Sequence, residues 1–471
     1  MSGKSKNVPN LEASPCGRAL EGAYNLGIIG AGPAGYTAAE HATKAGLKVV
    51  LFEKNEVGGV CLNEGCIPTK TLLYSAKLYD NARNSAKYGI SVESAIFDYE
   101  KIVARKNKIV RKLVAGVRAK LNNENITIVK SCAQILPKEN EIFKVESNGE
   151  IYSFQNLLIC TGSENIVPPI NGISPENAWT SREALVSKEY PRSIAIIGAG
   201  VIGMEFSVFY NSLGVEVTLI EMQSEILGNM DKETSRMLRD ECAKKGVNFH
   251  LESRVLEVKD DEIFFEKNGE TQSVRAEKIL LSVGRRPNTQ GFGLENLGVK
   301  MHRNSGILVD ERMQTSVSRV FAVGDVTGFW MLAHTAIREA EVVVNQLLDG
   351  ADLMSYKAIP SIVYTNPELA SVGETEESLQ SKDVKYKALR LPMTFSGRFV
   401  AENEGATGLC KILTDENDKI LGAHLLGNSS SEIITLATLA IEQNLTVEQW
   451  KKSVFPHPTV GEIIKEVLQA P

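Results

Sequence analysis

Two cysteines, Cys61 and Cys66, stand five positions apart in the stretch GGVCLNEGCIPTK, residues 58 to 70. Thiols at that spacing suit a structural bridge, half of a metal site, or a working redox pair. In a regular helix, residues five apart are separated by about 7.5 Å along the axis, whereas a disulfide needs Cα atoms roughly 4.4–6.8 Å apart. A bridge therefore needs distorted backbone, which Gly65 and Pro68 at a helix start permit. A thiolate at the same helix start is favoured by its free N–H groups. The chain has no second cysteine pair and only six scattered histidines, which argues against zinc.

The bulk of the chain narrows the setting. With 471 residues it is long enough for about three domains. Seven cysteines are too few for a disulfide-dense secreted protein, so the chain reads as cytoplasmic, where a disulfide is more often catalytic than structural. A net charge of −6 with no basic stripe excludes nucleic acid as the natural partner. No apolar run approaches the roughly 20 residues of a membrane span. Residues 1–23 lack the apolar core of a signal peptide and carry one arginine, and are expected to form a mobile N-terminal extension.

Two segments then repeat one plan of strand, glycine turn, helix and strand. In residues 24–54, Gly30, Gly32 and Gly35 precede Glu53; in residues 192–222, Gly198, Gly200 and Gly203 precede Glu221. Each acid lies 23 positions after its first glycine. The first glycine makes a tight turn, the second lets backbone approach a pyrophosphate, and the third lets helix pack on strand. The pyrophosphate sits at a helix N-terminus, and the acid accepts from ribose hydroxyls. Two such sites imply two dinucleotide cofactors. Apolar strands at 157–163 and 318–328 run into glycine turns, the second at Gly324-Asp325, and read as returns to the first sheet on either side of an insertion. From about residue 355 alternating strands and then helices suggest an α+β domain. His457, in His-Pro-Thr with Glu462 five positions on, is by itself a histidine of the commoner structural kind.

The cysteine motif, both fingerprints, Gly324-Asp325 and HPTVGE together closely resemble the flavin-dependent pyridine nucleotide-disulfide oxidoreductases, over nearly the whole chain from Tyr24. That resemblance implies an α/β fold of two Rossmann-like dinucleotide-binding domains, the NAD domain inserted in the FAD domain, with a C-terminal α+β dimerisation domain. The implied boundaries are 24–162 and 285–354 for FAD, 163–284 for NAD, and 355–471 for the interface of a homodimer. It implies that Cys61 and Cys66 form a redox disulfide, with Cys66 facing the flavin in a charge-transfer contact and Cys61 meeting the substrate. Lys70 is implied to pair with Glu205 and to stabilise negative charge on reduced flavin. His457 is implied to be the base for an incoming dithiol, oriented by Glu462 and reaching the cysteines of the other subunit. Val60 departs from the threonine usual there, which removes a hydroxyl but no reacting group.

By the same resemblance, the FAD contacts fall on Gly30, Gly32, Gly35, Glu53, Lys54, Gly59, Lys70, Ala133, Thr161, Gly162, Ser163, Gly324, Asp325, Met331, Leu332, Ala333 and His334. The NAD contacts fall on Gly198, Gly200, Gly203, Glu205, Glu221, Val255 and Gly284, and no metal is implied. Within the family, MLAH at 331–334 points to the branch that oxidises protein-bound dihydrolipoyl groups with NAD+. The strand end LIEMQSEI carries an acid and no arginine, which favours NAD over NADP. No cysteine follows Cys410, which disfavours the mercuric and large thioredoxin reductases. The alternatives are another disulfide reductase of the glutathione or mercuric kind, or a non-catalytic flavoprotein redox sensor. No lipoyl domain is present, so the lipoyl-bearing carrier of a 2-oxoacid dehydrogenase, acetoin or glycine cleavage complex is expected in trans.

Overall fold

A computed structural model describes residues 23–138 and 142–470. The expected N-terminal extension, Ala23 apart, lies outside the described residues. The chain divides into two compact units, Met1–Asn63 with Arg111–Glu164 and Arg286–Ser355, and Glu64–Val110 with Asn165–Arg285 and Tyr356–Pro471.

In the first unit, strand Tyr24–Ile29 lies parallel between Val49–Phe52 and Glu150–Ile159, and Ile126–Val129 continues the parallel run beyond Val49–Phe52. The four residues Val49–Phe52 are all buried, as expected of a parallel strand covered on both faces. The long strand Glu150–Ile159 serves two neighbours on its far side. Its first half pairs antiparallel with Phe143–Ser147 through a turn in which Asn148 and Gly149 both have positive φ. Its last three residues pair parallel with Val320–Ala322, so the chain re-enters this sheet after the intervening segment. Leu157, Ile159, Phe154 and Val320 form the centre of the core, each fully buried.

The second unit holds a parallel sheet in which Ser193–Ile197 lies between Glu216–Ile220 and Lys278–Leu281, flanked by Asn248–His250 and Ala178–Thr180. An antiparallel three-stranded sheet, Ser253–Lys259, Glu262–Lys267 and Glu270–Arg275, follows it. Residues 361–426 build an antiparallel five-stranded sheet in the order Ser361–Val363, Leu369–Gly373, Ile420–Leu426, Leu409–Thr414, Lys387–Pro392. Helices Ser430–Glu442 and Ile463–Gln469 cover it with Ile434, Ala437, Ile441, Ile463 and Val467. One core joins Leu72 and Leu73 of helix Cys66–Arg83, Met204, Phe206 and Phe209 of helix Val201–Ser212, and Val363, Leu369 and Leu426 of the antiparallel sheet. At about 1.5–3 kcal/mol for each fully buried large apolar side chain, this contact fixes the three elements against one another. No helix among the described residues is long and apolar enough to cross a membrane.

Candidate functional site

The two glycine turns are built alike. A Cβ on Gly35 would lie 1.9 Å from the carbonyl oxygen of Gly30, and one on Gly203 2.0 Å from that of Gly198. The third glycine of each turn is thus required by helix–turn packing inside the chain itself. The second is different. A Cβ on Gly200 would meet nothing within 4 Å, and one on Gly32 would meet only the Cα of Gly59 at 3.9 Å. These bare faces adjoin helices Pro33–Lys44 and Val201–Ser212, which have Gly32 and Gly200 as N-caps, no side-chain cap and no acid in the first turn. By contrast, Asp231 caps helix Lys232–Lys244. Open backbone N–H groups beside a missing side chain fit a phosphate.

Both acids are already oriented. Glu53 accepts from the Ala31 N–H at 2.8 Å and the Asn55 N–H at 2.7 Å, one on each oxygen. Glu221 repeats this with Ala199 at 2.7 Å and Gln223 at 2.8 Å. A carboxylate has about four acceptor sites, so each keeps capacity for ribose hydroxyls. The residues present fit two dinucleotides.

Around the first turn, Thr161 Oγ1 donates to the Asn288 carbonyl at 2.6 Å, and Asn288 returns bonds to the Gly162 and Thr161 carbonyls. Ser163 Oγ donates to Asp325 at 2.5 Å. Gly324 opens a short 3-10 turn, and its N–H donates at 2.6 Å to Glu339, a carboxylate with no solvent exposure. Met331 and Leu332 lead into helix Ala333–Leu347, with His334 exposed in its first turn. Ala133 is buried in the core of this unit, and Lys54 is exposed. In the second unit, Val255 sits at a register shift in its strand pair, and Gly284 takes a positive φ of 114°.

Cys61 and Cys66 are disulfide-bonded. Cys61 lies in helix Gly59–Glu64, and Cys66 starts helix Cys66–Arg83 after Gly65, whose φ of −148° and ψ of −105° break the backbone between them. One turn on, Lys70 Nζ donates to both oxygens of Glu205 at 2.9 Å. Glu205 is itself buried, and it also accepts from the Tyr364 N–H at 3.1 Å. Near the C-terminus of the chain, His457 Nδ1 lies 2.8 Å from Glu462. The Thr459 N–H, at 2.7 Å, and then His457 hold the Glu462 carboxyl below its ordinary value. The remaining described cysteines lack such settings. Burial pushes the thiols of Cys242 and Cys410 up to about 12 and raises that of Cys160 further with help from Glu339, while Cys132 is exposed.

The structure therefore brings together Cys61 with Cys66, Lys70 with Glu205, His457 with Glu462, and Ser163 with Asp325. Sequence reasoning missed Tyr364, Asn288 and Glu339. Of these only Glu339 left a signal, an acid on the apolar stripe of Ala336, Ala340, Val343 and Leu347. Among the described residues no group of three or more histidine, cysteine or acidic side chains could hold a metal ion.

Comparison with known proteins places nearly the whole chain. A family described as pyridine nucleotide-disulphide oxidoreductase matches residues 24–340, and its dimerisation domain matches residues 359–468. A dihydrolipoyl dehydrogenase of Thermus scotoductus is 38% identical over 457 residues, 95% of this chain and 97% of its own length. That of Geobacillus stearothermophilus is 35% identical over 446 residues, 94% of this chain and 95% of its own. Among solved structures, the HOCl-induced flavoprotein disulfide reductase RclA of Escherichia coli aligns with a TM-score of 0.83 at 27% identity, covering 94% of this chain and 99% of that one.

Proposed function

The chain belongs to the pyridine nucleotide-disulphide oxidoreductase family, and from that premise we propose that it is a dihydrolipoamide dehydrogenase, oxidising protein-bound dihydrolipoyl groups to lipoyl with NAD+. The observation that carries the reading is the Cys61–Cys66 disulfide at the head of the helix that presents Lys70 to the buried Glu205.

The chain's own residues divide the work. One thiolate of the dihydrolipoyl group attacks Sγ of Cys61, and the Cys61–Cys66 bond breaks with its electron pair on Cys66. The helix N-terminus behind Cys66 favours that thiolate. The second substrate thiol then attacks the substrate sulfur of the mixed disulfide, lipoyl leaves as a closed disulfide, and Cys61 keeps both the released electron pair and that thiol's proton. His457 Nε2 takes the proton of the attacking thiol, while Glu462 on Nδ1 orients the ring. In this reading His457 serves the cysteines of the other subunit of a homodimer, to which the dimerisation domain contributes.

Bound FAD supplies the electron relay from the reduced cysteine pair to NAD+. The first glycine turn with Glu53, the Thr161–Ser163 turn and Gly324-Asp325 hold it, in a domain of residues 24–162 and 285–354. Residues 163–284 hold NAD through the second turn and Glu221, and residues 355–471 form the interface. The lipoyl carrier arrives in trans, and the enzyme works in the cytoplasm. Reconstituted protein assayed with lipoamide, glutathione disulfide and Hg2+, using NADH and NADPH, tests this. Lipoamide with NADH is expected to exceed every other pair; faster turnover of glutathione disulfide or Hg2+ overturns the substrate assignment.

A further inference from the structure

Glu205 is 3% exposed at its side chain and receives donors from helix Cys66–Arg83 and from the residue after strand Ser361–Val363. Lys70 occupies both oxygens, and the Tyr364 N–H adds a third bond to Oε1. The same tyrosine also presents its ring to the lysine, with Nζ 4.6 Å from the centroid. That lies inside the roughly 6 Å over which a cation is attracted to an aromatic face. A lysine loses much rotamer freedom on standing in one place. Here a carboxylate on one side and a ring on another restrict it.

The backbone of Tyr364 is itself pinned. It follows strand Ser361–Val363, and Val363 is fully buried in the core shared with Leu72 and Leu73 of the Lys70 helix and Met204 and Phe206 of the Glu205 helix. Next in sequence, Thr365 donates to the Pro367 carbonyl at 2.6 Å. Burial first, then Glu205, Glu368 and Glu432, raise the Tyr364 phenol above its ordinary value, so the ring stays neutral.

We propose that Tyr364 is a positioning residue: its N–H holds the Glu205 carboxylate and its ring face holds the Lys70 ammonium, so that the cation keeps one place. The inference rests on the reading that Lys70 serves the bound flavin. It assigns the function to the ring and the backbone, not to the hydroxyl.

The test uses the FAD-reconstituted holoenzyme with Tyr364→Phe, Tyr364→Leu, Lys70→Met and the Tyr364→Leu/Lys70→Met double variant, reading the equilibrium constant for flavin reduction. Lys70→Met is expected to lower it. Tyr364→Leu should lower it in the same direction by about 2- to 30-fold, the range of a cation–π contact. Tyr364→Phe should match the parent, and Tyr364→Leu should add nothing once Lys70 is gone. An unchanged constant in Tyr364→Leu beside a shifted one in Lys70→Met overturns the inference and leaves the Lys70 reading intact. So does an undiminished Tyr364→Leu effect in the double variant. No shift in Lys70→Met overturns the reading beneath it. Tyr364→Met serves the same comparison if the leucine variant does not fold, and a double-variant cycle of urea unfolding on apoprotein must show coupling between residues 364 and 70.

Discussion

Lys70 and Glu205 form a two-pronged ion pair at 2.9 Å whose members stand in unequal surroundings, the lysine side chain 31% exposed and the glutamate 3%. The inequality predicts an asymmetric response. Lys70→Met strands a buried carboxylate with one backbone donor, a change that costs up to about 3–5 kcal/mol when both partners are buried and less here. Glu205→Gln leaves an ammonium that water can reach and an amide that still accepts from Tyr364, at about 1 kcal/mol. Urea unfolding of the two variants should therefore rank Lys70→Met as the less stable.

Glu221 braces the turn, because its oxygens hold the Ala199 and Gln223 N–H groups, and in the proposed reading it also accepts from the ribose of NAD. A carboxylate there accepts from NAD and repels a 2′-phosphate. The parent protein is expected to prefer NADH strongly, and Glu221→Ala to narrow the ratio of kcat/KM between NADH and NADPH, chiefly by loss of NADH efficiency. Equal efficiency with both cofactors in the parent would exclude the assignment.

What could be read in advance follows from where the physical demand falls. Gly35 and Gly203 were legible because a Cβ there would collide with backbone of the same turn, so the chain itself demands glycine. Glu53 and Glu221 were legible through their fixed offset from that turn. Lys70 and Glu205, 135 positions apart, were paired only through family resemblance, since no local rule links two helices. Tyr364 was invisible because its bond to Glu205 uses a backbone N–H that every residue but proline has. Lys411 was equally hidden: it is the one charge in strand Leu409–Thr414, on the same face as Leu409 and Leu413, and is fully buried against Asp231, Glu233 and Glu376 at 2.6, 2.8 and 2.9 Å.

The disulfide partners should behave unequally once separated. Cys61→Ser in FAD-loaded protein leaves Cys66 as a thiolate and is expected to show a long-wavelength absorption band without reductant. Cys66→Ser should lack it. The reverse pattern would exchange the two roles.

The Lys411 cage predicts an acid limit to stability. Burial opposes ionisation of Glu376, but Lys411 and Arg390 outweigh it and hold the carboxyl down to about 2 from 4.5. Burial works against Asp231 too, and His424 and Lys411 hold it below its ordinary value. The folded chain thus binds fewer protons than the unfolded chain in acid, so this stability is complete above about 4.5 and is lost as pH falls toward 2. His424, kept below 6.5 chiefly by burial, adds a loss of the same sign that begins as pH falls below that value. Lys411→Met should cost about 3–5 kcal/mol at neutral pH and flatten the acid dependence. Urea midpoints from pH 7 to pH 3 measure both.

His457 carries the prediction that separates a base from an interface residue. Its Nδ1 faces a carboxylate at 2.8 Å, and a carboxylate only accepts, so Nδ1 carries the proton and Nε2 the lone pair. The Thr459 N–H and His457 keep Glu462 below its ordinary value, so the orienting charge is present throughout the working range. In the single chain the His457 side chain is 81% exposed, so removing it disturbs little packing. Loss of a general base costs about 10²–10⁴ in rate, and only the half of the cycle that exchanges protons with the dithiol needs one. His457→Ala is therefore expected to slow reduction by dihydrolipoamide by that factor while reduction by NADH stays near the parent rate and the oligomeric state is unchanged. Glu462→Ala should show the same pattern more mildly, because an unoriented imidazole still accepts a proton. Rapid mixing with each reductant separately, with sedimentation on the same samples, decides it: a joint fall of both half-reactions, or dissociation, makes His457 a structural residue.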